Sequence, residues 1–363
     1  MCEGKWPDKD HKGTRYARSS AEGQLAGSNL AGGFFTALWN VKGDLKFFHD
    51  GLGMKCVTGV DPCDYCDCHR ITHGGDPDMH QLNFKRGAGW KRSLVSPRQW
   101  RDRFPNRHLL FLKLAWLSQH NCAADELHIC YLGVYQVLLG SVLWLLCYRV
   151  MIGSPSDNID VVWCMIKEFY STHHVTSQYT SFSLGSFTQA DKPRSDFPRL
   201  KGRGHEVKSV LLPLASIWQQ CSDKSDAAQN MVQEMLDIMV EIQNLFDEYA
   251  SECFLPKESA DRILVLADCF LERYAAMHNS AMANGDLLFH TLPKHHAWWH
   301  LCHRCQYEHP RLGNCCLDED FVGRIKEIVQ GSSAGAALHN IPNKVLAKFL
   351  WGKTMLYCFP NDL

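Results

Sequence analysis

From Ile129 to Val150 the chain reads ICYLGVYQVLLGSVLWLLCYRV, an apolar run about as long as a bilayer crossing requires. No other segment restricts the fold as much. Such a run either spans a membrane or forms a helix buried on all sides by other helices. Gln136, Ser141 and Arg149 interrupt it, and no second run accompanies it. The expectation is therefore the central helix of a large domain, with no membrane span.

The segments that would cover it read as helices. Met231, Met235, Ile238, Met239, Ile242, Leu245 and Phe246 recur at helical spacing between Asp226 and Cys253. A methionine stripe of this kind belongs to a core. Further helices are predicted over Lys257–Met282, His290–Cys305, Glu319–Gln330 and Asn343–Tyr357. The chain divides into a polar, Gly- and Ser-rich leader (1–30), a segment with a Cys-rich loop and the buried helix (31–150), a helical stretch (151–335) and a C-terminal helix and tail (336–363). Within the second segment, Gly33 opens a strand-like apolar run, followed by a Gly-Asp step and a short amphipathic helix ending near Gly53.

The formal net charge of −1 gives no global basic field that would mark a dedicated nucleic-acid binder, although it leaves room for a local groove. Seventeen cysteines, an odd number scattered through apolar segments behind a polar N-terminus, fit reduced thiols better than a disulfide framework. The expected compartment is nuclear or cytoplasmic, and the protein is not expected to be secreted.

Four constellations carry chemistry. Cys63-Asp-Tyr-Cys66, with Cys68 and His69 beside it, has the spacing of half a zinc site. Its partners must come from afar, and His73, His80, His128, Cys302 and Cys305 are candidates. Asp125-Glu-Leu-His128 sets an acid and an imidazole on one helical face, where they can bind metal jointly or simply start a helix. Lys294, His295, His296, His300 and His303 share one predicted helix. His296 and His300 stand as an HxxxH pair able to ligate metal, and with Lys294 they can alternatively meet phosphates. Asp318-Glu319-Asp320 opens the next helix. A carboxylate there suits the macrodipole, or joins a second acid such as Asp44 in holding Mg²⁺.

In this order the motifs resemble the catalytic region of CACTA/En-Spm-type transposases and the related KDZ-type elements. Gly43-Asp44-Leu-Lys-Phe-Phe followed by Pro62-Cys63-Asp-Tyr-Cys66 resembles their second-aspartate segment, and Trp90, Arg92 and Trp100 fall in the Trp/Arg stretch after it. Asp125-Glu-Leu-His128 resembles their DxxH step. Pro293-Lys294-His295-His296, His300 and Glu319-Asp-Phe-Val-Gly323 resemble the region ending in the catalytic glutamate. The resemblance covers roughly residues 34–330.

It implies a mainly α fold with a small, incomplete RNase H-like α/β part and a long helical insertion. It implies Asp44 and Glu319 as catalytic carboxylates on Mg²⁺, with Cys63, Cys66, Asp125 and His128 organising Zn²⁺. Lys294, His296 and His300 would contact DNA, and no small-molecule cofactor is called for. Only 43 residues precede Asp44, and Asp8 and Asp10 sit in no strand pattern. The first aspartate of the family is thus expected to be missing, as in an N-terminally truncated copy with impaired strand cleavage and transfer. The alternative from another class is a non-catalytic, zinc-stabilised interaction or nucleic-acid-binding protein.

Overall fold

The apolar run folds as a helix over Leu127–Val150, and 89% of its most apolar stretch is buried inside the protein. It is a core helix, as its sequence predicts. The computed structural model describes residues 4–10, 12–30, 40–71, 74–103, 117–189, 192–333, 335 and 337–358. In chain order the helices are α1 (Ala21–Leu25), α2 (Leu45–Leu52), α3 (Gly89–Arg92), α4 (Pro97–Arg103) and α5 (Leu127–Val150). They continue with α6 (Pro155–Thr172), α7 (Gly204–Cys221), α8 (Ala227–Glu248), α9 (Lys257–Ala283), α10 (Pro293–Arg304), α11 (Cys316–Ser333) and α12 (Ile341–Cys358).

Helices α7 and α10 pack against α5, α8 lies across α7 and α9, and α9 closes on α10. The stripe on α8 does what its spacing requires: Val232, Met235, Leu236, Met239, Ile242 and Phe246 are buried. Met231, Ile238 and Leu245 lie at its margin, half-buried. Asp226 caps this helix, accepting from the backbone N–H of Ala228 and Gln229. Helices α11 and α12 pair with each other through contacts such as Phe321 on Phe349.

Helix α5 is not uniform. Wider π-helical turns over Leu127–Tyr135 and Leu146–Val150 flank an α-helical middle, Gln136–Leu145. Such turns occur mainly as short interruptions, often at functional positions. At Leu132 the backbone leaves helical geometry (φ −91°, ψ 22°). Its carbonyl accepts instead from Lys294 Nζ at 2.8 Å and Arg199 Nη2 at 3.3 Å. Two glycines make these approaches possible. A Cβ at Gly133 would sit 2.7 Å from Lys294 Cδ, and one at Gly140 would sit 2.8 Å from backbone atoms of Arg199.

The mainly α expectation holds, but the RNase H-like α/β part has no support here. Among the described residues there is no strand, only isolated backbone bridges such as Val41 with Cys122 and Cys66 with Leu94. The apolar run expected as a strand falls on residues 31–39, outside the described set. Asp44 does not end a strand. It is the N-cap of α2, accepting from Phe47 N at 2.6 Å. Nor is the described part of residues 1–30 featureless: Lys5 bridges Asn29, Lys9 bridges Arg15, and α1 lies between Ser20 and Ala26.

Candidate metal centre and acidic cluster

The Cys-rich loop is built to be rigid without a core of its own. Asp64, buried, accepts from Trp100 Nε1 at 2.8 Å and from Lys55 N at 2.7 Å. Asp67 N donates to Ser93 Oγ, and Val95 N to the Tyr65 carbonyl at 2.9 Å. These bonds aim Cys63 and Cys66 inward, where α10 presents His296 and His300 one turn apart. Helix α10 is itself locked by Trp299, whose Nε1 donates to Asp268 on α9 (2.9 Å). The same carboxylate pairs with the buried Lys91 ammonium at 2.7 Å.

The four donor atoms of Cys63, Cys66, His296 and His300 lie within 4.8 Å of one another, and all four residues are buried. A tetrahedral zinc with Zn–N of about 2.0–2.1 Å and Zn–S of about 2.3 Å has edges of about 3.3–3.4 Å (N···N) and 3.5–3.6 Å (S···N). Here His296 Nε2 to His300 Nε2 is 3.2 Å, Cys63 Sγ to His300 Nε2 is 3.5 Å and Cys66 Sγ to His296 Nε2 is 3.4 Å. The donor set and these edges fit zinc. A cavity of about 40 Å³ adjoins Cys63, His296 and His300 on the side of Phe48, Met54 and Pro293.

The rings are held for this task. Trp90 packs on His296 with centroids 4.2 Å apart, and Tyr65 on His300 at 5.3 Å. The protonation pattern is that of a site waiting for a cation. Burial pushes the Cys63 thiol up, yet hydrogen bonds from Cys66 and Cys68 and the charges of His300 and His296 pull it well below the usual range. Burial, then the same thiol contacts, hold Cys66 well above it. Burial lowers the His296 pKa, and the Cys63 charge and hydrogen bond oppose it. A divalent ion would take over the negative charge and release the thiol protons.

The second cluster lies at the start of α5. Asp125 is 1% exposed, and its carboxylate accepts from Leu127 N (3.0 Å), His128 N (3.2 Å) and Cys315 N (2.9 Å), as well as pairing with His128 Nδ1. It thereby ties α5 to the entry of α11. Its neighbour Glu126, also buried, accepts from Tyr131 Oη at 2.5 Å and Asn314 Nδ2 at 2.9 Å. The outward nitrogen of His128, Nε2, lies 3.7 Å from Glu319 Oε1. The hydrogen bond to Asp125 raises the His128 pKa against burial, and the charges of Asp125, Asp44 and Glu319 add to the rise. Lys294 stands nearby. Burial and Arg199 lower its pKa to about 8, while Asp44 and Asp125 oppose the shift.

Several residue assignments change on these coordinates. Cys63 and Cys66 gather with His296 and His300, not with Asp125 and His128, which bond to each other and to the entry of α11. His296 and His300 are 4% and 6% exposed, so neither reaches a phosphate. Lys294 is half-buried and bonded to Leu132. Glu319 comes to His128, and the charge of Asp44 is near enough to act on the same ring. The side chain of Asp320, and His73, lie outside the described residues. The pairing of CxxC with HxxxH was missed, although each half supplies two donors and a tetrahedral site needs four. Sequence reading likewise passed over Glu126 and Arg199.

Compared with protein-family models, with curated proteins and with solved structures, the chain matches none.

Proposed function

We propose that the chain is a transposase-derived protein, a zinc-stapled helical scaffold whose ancestral chemistry, Mg²⁺-dependent DNA strand cleavage and transfer, survives in impaired form. What supports this reading is the contact of Glu319 with His128 and the Asp44 charge acting on the same ring, from three distant segments in the order the transposase resemblance implies. Asp44 and Glu319 would supply hard oxygen ligands to Mg²⁺, which activates water against a phosphodiester when bound. Asp125 fixes the His128 ring by holding Nδ1, so that Nε2 faces Glu319. His128 can then move a proton at that atom, and Lys294 adds positive charge beside them.

The test is nicking of supercoiled plasmid by the full chain in Mg²⁺ or Mn²⁺, compared with D44N and E319Q. The expected result is metal-dependent nicking that both variants reduce at least tenfold. Nicking equal in all three proteins, or none in any, would overturn the proposal.

One observation favours the alternative, a non-catalytic zinc-stabilised interaction or nucleic-acid-binding protein. The metal centre is closed by protein donors, which is the form of a structural site. Stoichiometric zinc with DNA binding but without nicking would support that reading.

A further inference from the structure

The metal centre offers five donors where zinc takes four. Cys68 is 1% exposed and turned inward beside the other two thiols. Its Sγ lies 3.4 Å from His296 Nε2, the same separation as Cys66 Sγ, and close to the S···N edge of a zinc tetrahedron. It also lies within hydrogen-bonding reach of both Cys63 and Cys66, and Cys63 in turn reaches His296. Cys63, Cys66 and His296 lie within 4.8 Å of one another, and Cys68 stands beside all three. His300 touches Cys63 and His296. It is placed only within 4.8 Å of the Cys66 sulfur.

We propose that Cys68 is a zinc ligand: Cys63, Cys66, Cys68 and His296 hold the ion, and His300 stays outside as a partner of the Cys63 sulfur. This rests on zinc occupying the centre. The chain favours the arrangement, because CxxCxC puts three sulfurs on one turn of loop whose middle cysteine is pinned by the bridge to Leu94. The metal favours it too, since zinc is readily held by soft thiolate ligands. His300 then has a separate part. Its Nε2–H donates to the Cys63 thiolate, an outer contact that steadies a ligand and tempers its charge. Its ring also borders a cavity of about 550 Å³, shared with Tyr65, His120, His303 and Tyr307.

Zinc-edge X-ray absorption on the full chain decides between the sets. Three sulfurs and one nitrogen are expected; two sulfurs and two nitrogens would overturn the inference while leaving the zinc centre standing. H300A, and H300Q should the alanine variant fail to fold, are expected to keep one zinc per chain with three sulfurs. C68A is expected to lose one sulfur and to give up zinc to a chromophoric chelator at least tenfold more readily. Loss of zinc from the folded H300Q, with C68A unchanged, would overturn the inference. A chain that takes up no zinc at all would overturn the centre and the inference together.

Discussion

His128 Nε2 and Glu319 Oε1 lie 3.7 Å apart, joining the first turn of the buried helix to the first turn of α11. The other ring nitrogen is bonded to Asp125, which is sealed from water, whereas the Glu319 side chain is half exposed. One imidazole thus connects an interior carboxylate to an accessible one.

The two carboxylates should contribute unequally to the His128 pKa. D125N is expected to lower it more than E319Q does, because the hydrogen bond from Asp125 is the largest cause of the rise. NMR titration of the ring nitrogens measures both. A raised histidine pKa stabilises the fold below the unfolded value of about 6.5, and the gain fades as pH climbs through the folded pKa. D125N should remove that part of the pH dependence of thermal unfolding. An equal or larger effect from E319Q would contradict the assignment.

Lys294 should give the opposite signature. Its folded pKa of about 8 lies below the unfolded value of 10.5, so between these pH values the unfolded chain binds more protons. Stability should therefore rise as pH goes from about 8 to 10.5, by on the order of 3 kcal/mol at most, at about 1.4 kcal/mol per pK unit. K294M should flatten that rise in denaturant titrations. A slope unchanged by the substitution would refute it.

Removing zinc should loosen the molecule locally. Structural zinc is worth roughly 10–16 kcal/mol in apparent binding energy to small peptides. Here the helical core stands on its own apolar contacts. With a chelator, hydrogen exchange should accelerate at residues 63–69 and 293–300, while α8 keeps its protection. Uniform loss across α8 and α9, or no change at all, would count against this division.

Gly140→Ala should destabilise by roughly 1–3 kcal/mol, the usual range for overpacking. The added methyl would meet backbone of Arg199, which is fixed by the bond from Leu200 N to the Gln136 carbonyl (2.9 Å) and cannot move aside cheaply. The midpoint of urea unfolding reads the effect directly.

Periodicity made the helices readable in advance, since burial on one face leaves its mark every three or four residues. Thus α8 and α9 fall within a few residues of expectation, and the run at 129–150 proved to be interior. The π-helical turns left no such mark; in the first of them the Leu132 carbonyl is held by tertiary bonds from Lys294 and Arg199. The Gly-Asp step before the short amphipathic helix was legible too: Asp44 caps α2 through its bond from Phe47 N. The metal centre was visible as two unconnected halves. Nothing in local sequence tells Cys66 that its partner lies 230 residues onward rather than at His128.

That separation has a consequence during synthesis. At about 5–20 residues per second, the ribosome needs on the order of tens of seconds to go from Cys66 to His296. Until then the cysteine loop lacks the α10 imidazole that completes the centre. Through that interval the nascent chain exposes three neighbouring thiols, and the cysteine loop reaches its final form only after α10 has emerged.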